Sequence, residues 1–243
     1  MNLSRKTALI TGGARRVGRA IAIRLAESGC NVAIHFHQSE SDAAQTVAAC
    51  RGFGVRSESF AANLADLAQA QELPARVAQA FGSVDFLINN ASDFERMTLN
   101  DFTIEQWERT LRINVTAPMV LAHAARKWLR AAGGRIVNLC DAATARPMPS
   151  YLAYGVSKGA LETLTRVLAR AFAPEVNVVG IAPGVAEWPP DYDEQTRTRL
   201  TGKIPLQRAG TPDDVAVAVR FVLQDADYMT GTILTLDGGR SAV

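Results

Sequence analysis

The stretch TGGARRVG, Thr11 to Gly18, follows the short apolar run TALI (Thr7–Ile10) and leads into RAIAIRLAESG, whose apolar residues recur at helical spacing up to Gly29. Strand, glycine turn and helix in that order make the context of a phosphate-binding turn. The helix start offers unpaired N–H groups and the positive end of its dipole to an anion. Gly12, Gly13 and Gly18 keep the backbone open there. The spacing is T-G-x-x-x-R-x-G, with Arg16 in the slot a middle glycine would fill. Alone, the turn fits equally an ordinary strand-to-helix connection with basic surface residues.

The rest of the chain repeats the alternation. Further strands are predicted at NVAIHF, VRSESFAA, VDFLIN, GGRIVNLC, VNVVGIA and TILTL. Helices are predicted over Ser39–Cys50, Asp66–Phe81, Thr103–Leu129, Tyr151–Ala173 and Asp213–Leu223. Parallel strands joined by helical crossovers give an α/β fold. The expectation is a doubly wound Rossmann-type parallel sheet with helices on both faces, as one domain over residues 1–243. Residues 184–205 lack periodicity and carry Trp188, Pro189 and Pro190; a loop this long reads as a lid or substrate loop, or as a plain surface excursion.

Bulk properties exclude several classes. A net charge of +2 with scattered basic residues argues against nucleic acid or a membrane surface as partner. Arg126 and Lys127, the longest basic cluster, read as a solvated helix face. Three cysteines without metal or redox spacing suit buried free thiols and a cytoplasmic setting. No metal is expected: His35 and His37 alternate on one strand, but the remaining histidine, His123, supplies no third ligand nearby.

The end of the second strand sharpens the ligand. An NAD site carries Asp or Glu roughly 20 residues past the glycines to bind the ribose hydroxyls. Here that end reads HFHQS, His35–Ser39, with no carboxylate to repel a 2′-phosphate. With Arg15 nearby and His37 and Ser39 as donors, the pattern favours NADPH. A second constellation is YGVSK, Tyr154–Lys158, which puts Tyr154 and Lys158 one helical turn apart. An ammonium there is expected to draw the phenol toward neutrality, so that it can give or take a proton. Y-x-x-x-K is weak by itself and equally describes a helix-surface pair.

In order along the chain stand Thr11-Gly12 with Gly18, Asn89-Asn90-Ala91, Asn114, Tyr154 with Lys158, and Pro183-Gly184. Together they resemble the short-chain dehydrogenase/reductase family over essentially the whole chain. The resemblance implies that Asn90 and Ala91 flank the adenosine and ribose, that Asn114 holds a water in a relay with Lys158 and Tyr154, and that Pro183, Gly184 and Val185 cover the nicotinamide. It also implies a homotetramer, with YMTGTILTLDGG as a contact region.

One position departs from the family. Thirteen residues before Tyr154 the family usually has serine, and here stands Asp141. Ser150 or Thr144 could replace the missing hydroxyl, activity could be lost, or an acid could be wanted because the substrate is protonated on nitrogen. The last reading fits a narrower resemblance. RRVG, HFHQS, NNASDF, Asp141 and KIPLQR look like pteridine reductases. That resemblance implies that Arg16 faces the cofactor phosphate and the pterin. It implies that Phe94 walls a stacking slot beside Ser92, and that Asp141 and Tyr154 manage protons at ring nitrogens. Gln38 stands where those enzymes have arginine, and Asn63-Leu64 replaces their Asp-Leu beside the adenine. Around the turn and second strand, Gly12, Arg15, Val17, His35, Phe36 and His37 complete the expected cofactor contacts. The resulting expectation is an NADPH-dependent reductase of pterins, dihydropterins or dihydrofolate. Its rivals are a carbonyl or ketoacyl reductase and a non-catalytic NADPH sensor.

Overall fold

The computed structural model describes residues 1–188 and 192–242. Strand β1 (Thr7–Ile10) pairs in parallel with β2 (Asn31–Phe36) on one side and β4 (Phe86–Asn89) on the other. With β3 (Ser57–Ala61), β5 (Arg135–Leu139), β6 (Asn177–Pro183) and β7 (Ile233–Leu236), the described residues form seven strands in the order β3-β2-β1-β4-β5-β6-β7. Every pairing is parallel. The strand order reverses between β1 and β4, and the crevice outside the carboxyl ends of strands at such a switch is where open α/β sheets bind ligands.

The helices are α1 (Arg16–Glu27), α2 (Glu40–Arg51), α3 (Leu67–Phe81), α4 (Ile104–Leu111), α5 (Ala117–Ala132), α6 (Leu152–Phe172), α7 (Glu194–Thr201) and α8 (Pro212–Gln224). They cover both faces of the sheet. Successive residues of β1 point to opposite faces: Ala8 and Ile10 join a core with Ile21 and Leu25 of α1 and Val219 of α8. Leu9 joins a second core with Leu73 of α3, Leu121 of α5 and Leu168 of α6. The doubly wound single domain expected from the alternation is therefore the observed one. Cys30, Cys50 and Cys140 are buried and free, and no described helix is long and apolar enough to cross a membrane.

Four sequence expectations need correction. The helix after the glycine turn starts at Arg16, inside the quoted stretch, and ends before Gly29, whose φ of 81° takes the chain out of helical geometry. Strand β3 is shorter than VRSESFAA suggested. The pattern over Thr103–Leu129 is not one helix: α4 gives way to a π turn, Arg112–Thr116, before α5. A π turn shifts the register by one residue and is often placed where a side chain must face a site. Finally, residues 184–205 are not without structure. Asp193 caps α7 by accepting from Thr196 N at 2.7 Å, although Pro189 and Pro190 lie outside the described residues.

Candidate active site

The turn Thr11–Gly18 is braced from two sides, by β2 and by the segment after β4. Gly12 has φ 61°, a left-handed conformation that favours glycine. A Cβ at Gly18 would stand 2.1 Å from the Gly12 carbonyl oxygen, so only glycine lets α1 begin this close to the turn. The Gly12 N–H donates to His35 Nδ1 at 3.0 Å, and Gly13 N–H donates to the His35 carbonyl at 2.9 Å. Since Nδ1 accepts, the ring proton sits on Nε2, which donates to Ala62 O at 3.0 Å. Burial pulls His35 down to about 4, so it stays neutral. Asn90 Nδ2 donates to the carbonyls of Thr11 and Gly12 at 2.9 and 3.1 Å. The Thr11 hydroxyl receives the N–H groups of Asn90 and Ala91. His35 and Asn90 thus fix the cradle's backbone. His37, beyond the end of β2, is exposed while His35 is buried, so the two histidines do not act as a facing pair.

Arg16 adopts φ 52°, the conformation a glycine would take at little cost, and pays strain of about 1–2 kcal/mol for it. Its Nε lies 2.6 Å from Glu187 Oε2, in the segment after β6. Arg15 lies 3.6 Å from Asp42 at the start of α2. Ser39 holds the N-cap position of α2 yet makes no side-chain cap bond, and together with Val17, Phe36 and Asn63 it lines the cavity. That cavity measures about 1130 Å³ and runs from the turn past Ser92 and Phe94 to Asp141 and Tyr154.

At its other end the catalytic candidates meet. The Tyr154 hydroxyl donates to Asp141 Oδ2. The other oxygen of Asp141 receives Ala143 N–H at 2.7 Å, which orients the carboxylate. Burial and the adjacent Asp141 carboxylate hold the Tyr154 phenol well above its ordinary value. This reverses the expectation that Lys158 would draw it down. Lys158 Nζ donates to Leu139 O at 2.7 Å and stands 5.5 Å from the phenol ring centroid, and burial lowers its own pKa. Burial, and after it the Asp141 carboxylate bonded directly to the hydroxyl, set the direction of the shift.

Asn114 sits fully buried in the π turn. Its amide donates to Ser157 Oγ at 2.9 Å and to Asp93 O at 3.0 Å, and its oxygen accepts Asp93 N–H at 2.7 Å. It therefore reaches α6 through Ser157, the neighbour of Lys158, rather than through Lys158 itself. Phe94 stacks on Tyr151 with ring centroids 4.5 Å apart, meets Tyr154 edge-on at 4.6 Å, and remains 44% exposed. Pro183 ends β6, and Gly184 passes so near Asp237 that a Cβ would lie 2.9 Å from its side chain. Thr144, a candidate substitute for the missing serine, is held at 2.6 Å from Glu162 Oε1. Sequence reasoning missed Tyr151, Ser157 and Glu187; each acts through a neighbour distant in sequence, and only Ser157 lay within a singled-out motif, YGVSK.

A family model described as enoyl-(acyl carrier protein) reductase matches residues 12–241. The chain is 32% identical to the 3-oxoacyl-[acyl-carrier-protein] reductase FabG of Staphylococcus epidermidis, over 96% of this chain and 98% of that protein. Among solved structures, a short chain dehydrogenase from Burkholderia cenocepacia in complex with NADP superposes with a TM-score of 0.93 at 36% identity, covering 100% of both chains. FolM alternative dihydrofolate reductase 1 from Brucella canis, complexed with NADP, gives a TM-score of 0.93 at 30% identity, covering 100% of this chain and 96% of that one. With the parallel sheet, the glycine turn and the Tyr154–Lys158 pair, these matches show that the chain belongs to the short-chain dehydrogenase/reductase family of NAD(P)-dependent oxidoreductases.

Proposed function

We propose that the protein is an NADPH-dependent reductase of pteridines, acting on dihydropterins or dihydrofolate. The observation that carries this reading is the Asp141–Tyr154 hydrogen bond, a carboxylate where the family's ketone reductases need a neutral hydroxyl donor. The residues present fit NADPH: a glycine cradle at a helix start, no carboxylate at the end of β2, and Ser39 and Arg15 beside the expected 2′-phosphate. When bound, NADPH supplies the hydride.

Reducing C=N requires hydride at carbon and a proton at nitrogen. Tyr154 keeps its proton across the physiological range and holds it at the cavity wall, in position for transfer to a ring nitrogen. Asp141, half-buried beside it, accepts ring N–H groups; once Tyr154 has given up its proton, a proton taken up from solvent by the Asp141 carboxylate returns to the phenolate. Phe94 supplies an aromatic face for a flat heterocycle. Lys158 stands over the Tyr154 ring and Asn114 fixes α6 through Ser157.

A ketoacyl reductase is the competing reading, favoured by the likeness to FabG. NADPH oxidation with biopterin, dihydrobiopterin and dihydrofolate, beside a panel of ketones and a ketoacyl thioester, tests both. The expected result is turnover of a pteridine at least a hundredfold above any ketone. Turnover of the thioester alone would overturn the proposal.

A further inference from the structure

We infer that the substrate carries an anionic tail, held by Arg96, Arg146 and Arg240 outside the ring slot. All three line the same cavity as Tyr154. They come from separate segments: Arg96 follows β4, Arg146 follows β5 and Arg240 follows β7. These segments are in contact. Met97 N–H donates to Ser150 O at 2.9 Å and Met97 pairs with Tyr151, while the C-terminal turn Arg240–Ala242 packs on the turn Ala142–Ala145. The arginines therefore ring the Asp141–Tyr154 end.

Among the described residues, the charge there is unbalanced. Asp93 is bound to Arg109 and Thr110, Glu187 to Arg16, Asp141 to Tyr154, and Asp237 to the N–H groups of Gly239 and Ser241. Among the described residues, Arg96, Arg146 and Arg240 have no carboxylate within ion-pair distance. Nor do they belong to the phosphate turn itself, which lies between β1 and α1. Three arginines so placed suit carboxylates, which guanidinium groups bind in paired hydrogen bonds.

This inference rests on the pteridine reading and narrows it to ring systems with an acidic tail, for which dihydrofolate is the probe and dihydrobiopterin the tail-neutral control. KM values and calorimetric Kd values in the presence of NADP are measured for both. The wild type is expected to bind dihydrofolate at least tenfold more tightly, with an affinity that falls as salt rises. Arg96→Gln and Arg146→Gln should each raise the dihydrofolate KM three- to tenfold, with dihydrobiopterin kinetics unchanged. Equal affinities that both substitutions spare would overturn the tail and leave the pteridine reading standing. If neither pteridine is reduced, both fall together.

Discussion

The hydroxyl of Tyr154 donates to the carboxylate of Asp141, while Lys158, the residue expected to tune Tyr154, donates to the backbone of Leu139 instead. Replacing Asp141 with asparagine keeps the shape and removes the charge. The phenol should then titrate at lower pH, because the largest electrostatic restraint on phenolate is gone. Ultraviolet difference titration reads that midpoint directly. Turnover of the true substrate should fall roughly 10²–10⁴-fold in Asp141→Asn and in Tyr154→Phe, the usual scale of a positioned proton donor. The Kd for NADPH should stay within about threefold. Normal turnover in Asp141→Asn would refute the proton role.

His35 links the end of β2 to the phosphate turn through Gly12 N–H, and it does so only while neutral. Its pKa falls from an ordinary 6.5 to about 4 on folding. Between those values the unfolded chain binds a proton that the folded chain refuses. Its contribution to stability is therefore full above pH 6.5 and declines as pH falls to about 4. At roughly 1.4 kcal/mol per pH unit, the loss is about 3 kcal/mol. Urea denaturation across pH 4–8 should show this slope, and His35→Gln should flatten it. The variant should also weaken NADPH binding. An unchanged slope would mean that other groups set the acid limb.

The alternation of apolar runs and helical spacing made the sheet legible, because strands such as β1 are fully buried and nearly all apolar and helices such as α1 and α5 carry an apolar stripe. The meeting of Asp141 with Tyr154 was legible for a related reason: both lie at the carboxyl end of β5 or the start of α6, so the fold brings them together. What stayed hidden depends on register and on partners. The π turn around Asn114 leaves no mark in a pattern that stays helical on both sides. The direction of the Tyr154 shift depended on its burial and on which charge touches the hydroxyl, and the four-residue spacing to Lys158 gives neither. The place of His35 at the end of β2 was legible; that its ring bonds the backbone of Gly12 and Ala62 was not.

Lys158 is buried, 4% exposed, and its ammonium donates to Leu139 O. Burial of an ammonium on that scale disfavours the charged form and costs stability. Lys158→Met has nearly the same length and needs no solvation. It should raise the melting temperature by a few degrees, corresponding to about 1–2 kcal/mol, while abolishing turnover. Differential scanning calorimetry beside the NADPH assay checks both. A destabilised variant would mean that the Lys158–Leu139 bond outweighs the desolvation it requires.

Arg16 occupies a glycine's slot at φ 52° and reaches across the cavity mouth to Glu187. Arg16→Gly separates the two costs. Glycine relieves left-handed strain of about 1–2 kcal/mol, and the lost ion pair, with both side chains substantially exposed, is worth at most about 1 kcal/mol. The folded state should therefore be slightly stabilised or unchanged, even allowing for the greater freedom glycine gives the unfolded chain. Function should move the other way. Without Arg16 the segment carrying Glu187 loses its tie to the phosphate turn, and the substrate end loses a cation. Pteridine kcat/KM should drop at least tenfold, with slow ketone reduction nearly unaffected. Glu187→Gln provides the control: it breaks the tie and keeps the arginine. If Glu187→Gln reproduces the whole loss, Arg16 acts by holding the loop. If it does not, the guanidinium itself meets the ligand.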